Sequence, residues 1–192
     1  EKFTCTIIHI SEDSMRVEPL RSPLDIERME HALRWYGYRN WMFFKLGINT
    51  ALRGGDLIRL QARHVRASHL MLKESKTRKL NRFYLNDSMR PFLDDYVKYM
   101  DDDDYLFRSR YQNVPMTIGS AYRMMAVAAE RIGLKNIGTH TCRKTFGYHF
   151  YRQTQDIAML MELLNHSSER ETLYYIGVLQ DDADSAVKGF FL

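Results

Sequence analysis

Apolar positions along this chain recur mostly at helical spacing, with strand-like texture confined to the middle. Ser22 as N-cap, Pro23 at the first helical position and Asp25 in the first turn mark a helix start. Leu24, Ile26, Met29, Leu33 and Tyr36 follow as an apolar stripe, and Gly37 ends it. A second helix is predicted over 38–50, where Trp41, Phe44, Leu46 and Ile48 are available for burial. A short helix over 54–60 is entered through the flexible Arg53-Gly54-Gly55 corner.

From about residue 62 the texture changes. His64-Val65, Leu70-Met71-Leu72 and Arg82-Phe83-Tyr84-Leu85 read as short strands, the last two separated by the polar turn 75–79. Helices resume over 88–100, then from Thr117 as a cap to near Gly133, then over 140–152, 155–164 and 168–177, with a tail helix over 181–191. The predicted class is therefore mainly α with a small antiparallel β-sheet. Residues 1–20 read equally as a strand (Phe3 to Ile10 alternate loosely) or as a connector from an upstream domain. The expected organisation is 1–20 as linker or strand remnant, 21–180 as the main domain and 181–192 as a tail. No internal repeat or low-complexity segment interrupts this plan.

Composition narrows the class without choosing a function. At 192 residues, 45% hydrophobic and 27% charged, the chain suits one globular domain with a real core. No apolar run approaches the roughly 18 residues that span a bilayer, so no membrane partner is expected. The first residues lack the basic-then-apolar layout of a secretory signal. Cys5 and Cys142 lie in no metal-ligand or disulfide spacing, so reduced thiols in a cytoplasmic protein are the expectation. The net charge of +4 permits nucleic-acid binding without establishing it. Its distribution says more: Arg59, Arg63, His64, Arg66, Lys73, Lys76, Arg78, Lys79 and Arg82 cluster in one segment able to track phosphates. The acids concentrate elsewhere, as in 101–104, a solvated loop rather than a metal site, because consecutive carboxylates cannot all face one ion.

Four places carry candidate chemistry, each with a plainer reading beside it. Arg53 follows an apolar helix end and Asp56 stands three residues on; a guanidinium fork suits a phosphate, and a carboxylate can hold it, but a surface ion pair explains the spacing as well. Lys76 lies in the turn between two strands, where a lysine could donate a proton to a leaving oxygen or simply be solvated; Lys73 and Lys79 compete for that role. His140 and Arg143 share one helical face near a start capped by Thr139, a place that favours an anion. Asn165 resembles a helix C-cap with His166 in the turn after it, and Tyr175 follows nine residues later. Tyr174 and Tyr175 must face different directions, so one of them points away from the core.

Taken in order, these segments resemble the tyrosine recombinase (phage integrase) family. Its pattern is a Leu-Arg-x-x-Glu/Asp box, a hairpin lysine, a His-x-x-Arg box, a Leu-Gly-His-x-x box and a tyrosine nine residues beyond that histidine. Here these are Leu52-Arg53-Gly54-Gly55-Asp56, Lys76, His140-Thr141-Cys142-Arg143, Leu164-Asn165-His166-Ser167-Ser168 and Tyr175. Any one box is weak; five in order, from about residue 20 to the end, are specific. Two positions depart from the pattern: Asn165 replaces the usual Gly, and Lys144 follows the arginine where His is common.

The resemblance implies the integrase catalytic-domain fold and site-specific recombination of double-stranded DNA through a 3′-phosphotyrosine, without metal, cofactor or ATP. It implies Tyr175 as nucleophile, Arg53 and Arg143 clamping the phosphate, His140 taking the tyrosine proton, His166 on the phosphate and Lys76 protonating the 5′-oxygen. Asp56 would orient Arg53, and Arg78, Lys79 and Lys144 would contact DNA. It further implies a homo-oligomer (a tetramer on DNA, a monomer in solution), an excisionase or host DNA-bending factor as partner, a tail that packs either on a neighbouring protomer or on its own domain, and a mobile element as the setting. The family's separate N-terminal DNA-binding domain has no counterpart here, so a piece of a longer protein is expected. Two other functions are weighed: a type IB topoisomerase, and a DNA-binding regulator that keeps this fold without catalysis. Such regulators usually lose a catalytic residue, and none is missing here.

Overall fold

The computed structural model describes residues 17–73, 80–110 and 112–191. Pro23 starts α1 (Pro23–Trp35), since its ring presets a helical φ and the N–H it lacks would have had no intrahelical partner. Gly37, with φ 128°, makes the corner that turns the chain into α2 (Tyr38–Ile48). Trp41, Met42, Phe43, Phe44, Leu46 and Gly47 are buried, so α2 is apolar on nearly every side and runs through the centre of the core. Phe43 alone, stacked edge-on against Phe107 at 5.2 Å, stabilises the core by about 1.5–3 kcal/mol.

After α2 the chain makes two short helices, α3 (Gly54–Leu57) and α4 (Ala62–Arg66). The antiparallel ribbon β1 (His69–Lys73) and β2 (Leu80–Tyr84) follows, with Leu70 opposite Phe83. Leu70 and Leu72 face inward while Met71 faces out, the two-residue alternation of a half-buried strand. Phe83 packs edge-on against Phe146, which fastens the ribbon to the helical body. The remaining helices are α5 (Arg90–Val97), α6 (Ile118–Arg131), α7 (Thr139–Thr154), α8 (Ile157–Leu164), α9 (Glu169–Tyr175) and α10 (Val178–Lys188). The mainly helical class with one small antiparallel sheet is as expected, and Thr117 caps α6 by accepting from the Ser120 N–H at 3.1 Å.

Three local readings change. His64 and Val65 lie in α4 rather than in a strand, because the Gln61 N–H donates to the His64 imidazole at 2.9 Å and Val65 drops into the core. The Asp101–Asp104 loop is docked rather than simply solvated: Asp102 and Asp103 pair with Arg66 and Arg63 at 2.8 and 2.7 Å. Two cations of the basic run are thereby neutralised. The last helix starts at Val178, three residues earlier than its polar spacing suggested. Cys142 is fully buried in α7, and that burial pushes its thiol up to about 12, so it stays protonated. Cys5 lies outside the described residues.

Candidate active site

Three of the four segments with candidate chemistry, those of Arg53, of His140 and Arg143, and of His166 and Tyr175, meet around the first turn of α7. Arg53 sits at the N-cap of α3 in extended backbone, directly after Ala51 and Leu52, which are fully buried and leave it little freedom. Gly54 then lets α3 press against α7: a Cβ there would stand 2.9 Å from the Thr139 Cβ. The start of α7 differs from expectation in one detail. Gly138 is the N-cap, and its N–H donates to the Thr141 hydroxyl at 3.0 Å, while Thr139 is buried in the first turn.

Arg143, three residues beyond His140, is only 2% exposed. Its two terminal nitrogens donate to the Ala51 and Leu164 carbonyls. One guanidinium thus brackets the segment leading into Arg53 and the segment leading into His166. Charge-assisted bonds of this kind are the stronger class, and a buried guanidinium needs them.

The turn after α8 explains a departure from the family pattern. Asn165 has φ 53° and ψ 48°, the left-handed conformation that asparagine tolerates better than other residues with a side chain. The His166 N–H closes the turn on the Met161 carbonyl at 2.9 Å. The His166 Nδ1 lies 3.2 Å from the Thr172 hydroxyl oxygen, and that hydroxyl gives its proton to the Ser168 carbonyl at 2.8 Å. With that proton committed, Nδ1 is the donor, so Nε2 donates to a phosphate oxygen only when the ring carries a second proton. Thr172 is fully buried in α9 and was missed by sequence reasoning, since nothing about a lone helical threonine announces it.

Tyr175 ends α9 and its ring meets His166 edge-on at 5.2 Å. Its hydroxyl lies 3.5 Å from the His140 Nδ1, a long contact by hydrogen-bond standards. Burial pushes the phenol above its ordinary range, while the positive charges of Arg143 and Arg53, and a hydrogen bond from Arg143, pull it back. Tyr174, by contrast, is 61% exposed.

Arg53, His140, Arg143, His166 and Tyr175 therefore gather in one cluster. Asp56 is fully buried, with an Arg59 nitrogen 3.6 Å from its carboxylate, so a second cation of α3 and its flank shares the carboxylate assigned to Arg53. Lys76, Arg78 and Lys79 lie outside the described residues. Lys144 was expected on DNA, but it is 6% exposed and donates to the Val17 carbonyl at 2.9 Å. Its ammonium is thus held by the chain itself rather than offered at the protein surface. Two guanidiniums, two imidazoles and a phenol in one place can bind a phosphodiester and direct a phenolic oxygen at phosphorus.

Comparison with known proteins points the same way. The phage integrase family model matches residues 23–181. The probable integrase/recombinase YoeC of Bacillus subtilis is 42% identical over 175 residues, covering 91% of this chain and 97% of that protein. Among solved structures, XerA recombinase is similar at a TM-score of 0.70 with 21% identity, over 98% of this chain and 68% of that one. A lambda integrase dimer bound to a COC′ core site is similar at 0.68 with 18% identity, over 85% of this chain and 60% of that one. At such identities the solved structures establish the common fold.

Proposed function

The chain belongs to the phage integrase family, as the catalytic domain of a tyrosine recombinase, and on that premise we propose that Tyr175 cuts and rejoins double-stranded DNA. The phenolic oxygen attacks the scissile phosphorus and the bond to the 5′-oxygen breaks, leaving a 3′-phosphotyrosine and a 5′-hydroxyl. His140 takes the phenol proton, and Lys76 gives one to the departing oxygen. Arg53 and Arg143 neutralise the non-bridging oxygens as charge grows, His166 hydrogen-bonds the phosphate, and Asp56 steadies the arginine side of the cradle. Rejoining is the reverse step, and the covalent bond conserves the energy it needs.

The observation that carries this reading is the Tyr175 hydroxyl at 3.5 Å from His140, in the field of Arg143 and Arg53, while its neighbour Tyr174 faces solvent. The ordinary alternative, a tyrosine serving only as core, does not account for two guanidiniums beside one phenol.

The partners follow from the same reading. A lambda integrase is seen as a dimer bound to a COC′ core site and as a tetramer bound to a Holliday junction, which supports DNA binding and assembly of several copies here. The exposed Val187, Phe190 and Phe191 at the end of the chain support docking of that end on a neighbouring protomer. Recombination of phage or other mobile DNA in the cytoplasm, with an excisionase or DNA-bending factor, and residues 1–20 as a connector, complete the proposal. Among the described residues no helix is long and apolar enough to cross a membrane.

The test is a nicked suicide substrate built from the junction sequences of the element that encodes the chain. The wild-type protein should form a covalent adduct, Tyr174→Phe should form it too, and Tyr175→Phe should not. An adduct with Tyr175→Phe overturns the assignment.

A further inference from the structure

Residues 17–21 lie as a strap along α7. The Glu18 N–H donates to the Asn136 carbonyl at 2.9 Å, the Leu20 N–H to the Thr145 hydroxyl at 2.9 Å, and the Leu20 carbonyl meets the His149 Nε2 at 2.8 Å. At its far end Arg21 grips both oxygens of Asp181 at 2.9 Å and Glu18 at 3.0 Å, which ties the strap to α10, the helix that follows Tyr175. The strap is therefore fixed at several points, and its Val17 carbonyl is a rigid acceptor. The side chain that takes this acceptor is Lys144, whose ammonium also stands 5.1 Å from the centroid of the Tyr175 ring.

We propose that Lys144 is a positioning residue for Tyr175: anchored by the Val17 carbonyl, its cation holds the ring of the nucleophile in place at the phosphate cradle. The proposal takes from the preceding section the reading of Tyr175 as nucleophile. A lysine is an expensive way to satisfy one carbonyl, because burial disfavours its charge and pushes its pKa down. A neutral donor would close the strap at less cost. What a neutral donor lacks is attraction to an aromatic face, which a desolvated cation supplies. The helix also separates two tasks: Arg143 reaches back to the Ala51 and Leu164 carbonyls, while Lys144, one residue on, reaches the strap and the ring. The charged and titratable groups around this pair are Glu18 and Arg21 on the strap, Arg143 and His140 on α7, Arg53 before α3 and His166 before α9. The nucleophile is thereby coupled to the chain that enters from the N-terminal side.

The experiment places 3-fluorotyrosine at position 175 of the whole chain and follows its 19F resonance without DNA. Lys144→Gln keeps a donor for Val17 and removes the charge; Lys144→Arg keeps both; Lys144→Met removes both at similar volume. The Gln and Met variants should move the resonance at neutral pH, since the ring then lacks the cation that holds it. The Arg variant should restore the resonance, with the thermal midpoints of the Arg and Gln variants close to wild type and that of the Met variant lower, because it leaves the Val17 carbonyl unpaired. An unchanged resonance in Lys144→Gln overturns the proposal, as does an Arg variant whose resonance shifts as far as that of Gln. The readout needs no DNA, so failure of the wild-type chain to form an adduct would count against the recombinase reading and not against this one.

Discussion

Two adjacent tyrosines with the same chemistry are separated here by one step of helix rotation. Tyr174 turns to solvent and Tyr175 turns into a cluster of cations. The nine-residue interval from His166 singles out Tyr175 in the sequence, but its protonation is set by its surroundings. Its phenol is raised in the folded protein, so the folded state holds this proton more tightly than the unfolded chain does. The stabilisation from this group is therefore complete below the ordinary tyrosine pKa of about 10 and is lost as pH rises toward and through the higher folded value. The thermal midpoint of the wild type minus that of Tyr175→Phe should accordingly fall as pH is raised from about 9 to about 11. A difference that rises with pH would mean that the arginines, not burial, dominate. Arg143 and Thr172 carry a different lesson. The His-x-x-Arg spacing marks Arg143 as a phosphate ligand, yet its brackets to Ala51 and Leu164 and the Thr172 lock on His166 are contacts that no spacing announces.

At the scale of elements, helix starts and stops were the most legible features. Ser22-Pro23, Thr117 and Asn165 all mark boundaries near where the fold puts them, because each is a local device: the preset φ of Pro23, the Thr117 hydroxyl accepting from Ser120, and the left-handed backbone of Asn165. The strand read at His64-Val65 failed for the opposite reason: two residues carry no period, and the bond between Gln61 and His64 favours a helical turn. Close approach between helices is equally invisible in the sequence. Gly147 in α7 faces Ile176 beside Tyr175, and a Cβ there would lie 2.7 Å from the Ile176 Cγ2. That methyl sits on a fully buried β-branched residue and cannot swing aside. Alanine normally gains up to about 1 kcal/mol over glycine inside a helix, but overpacking of this kind costs about 1–3 kcal/mol. Gly147→Ala should therefore lower the thermal midpoint and slow adduct formation together. A variant that is more stable than wild type would show that α9 can move without consequence.

For the whole molecule, charge placement matters more than its sum of +4. Arg63 and Arg66 are drawn to the Asp101–Asp104 loop, so the basic run offers less unpaired charge to DNA than its length suggests. Binding to DNA should still weaken with salt. If about four phosphates are neutralised, affinity falls by roughly a hundredfold for a fourfold rise in salt, measured by fluorescence anisotropy on a labelled duplex. A flat dependence would place recognition outside the cationic face. The two ends of the described chain meet through Arg21 and Asp181, which frame α7 and α9 between a strap and a final helix.

Identity was written in the order and spacing of five short boxes, because each box is a local device: a cap, a turn, a helical i, i+3 pair, or a fixed step from one helix to the next. Those devices act over a few residues and survive in a linear reading. The assembly of the cradle was decided by tertiary packing: Gly54 against Thr139, Arg143 spanning two carbonyls from distant segments, Thr172 fixing His166, and Lys144 turned from the surface to the ring of Tyr175. Each of these depends on which faces meet across the core, and hydrophobic periodicity names a buried face without saying what it will be buried against.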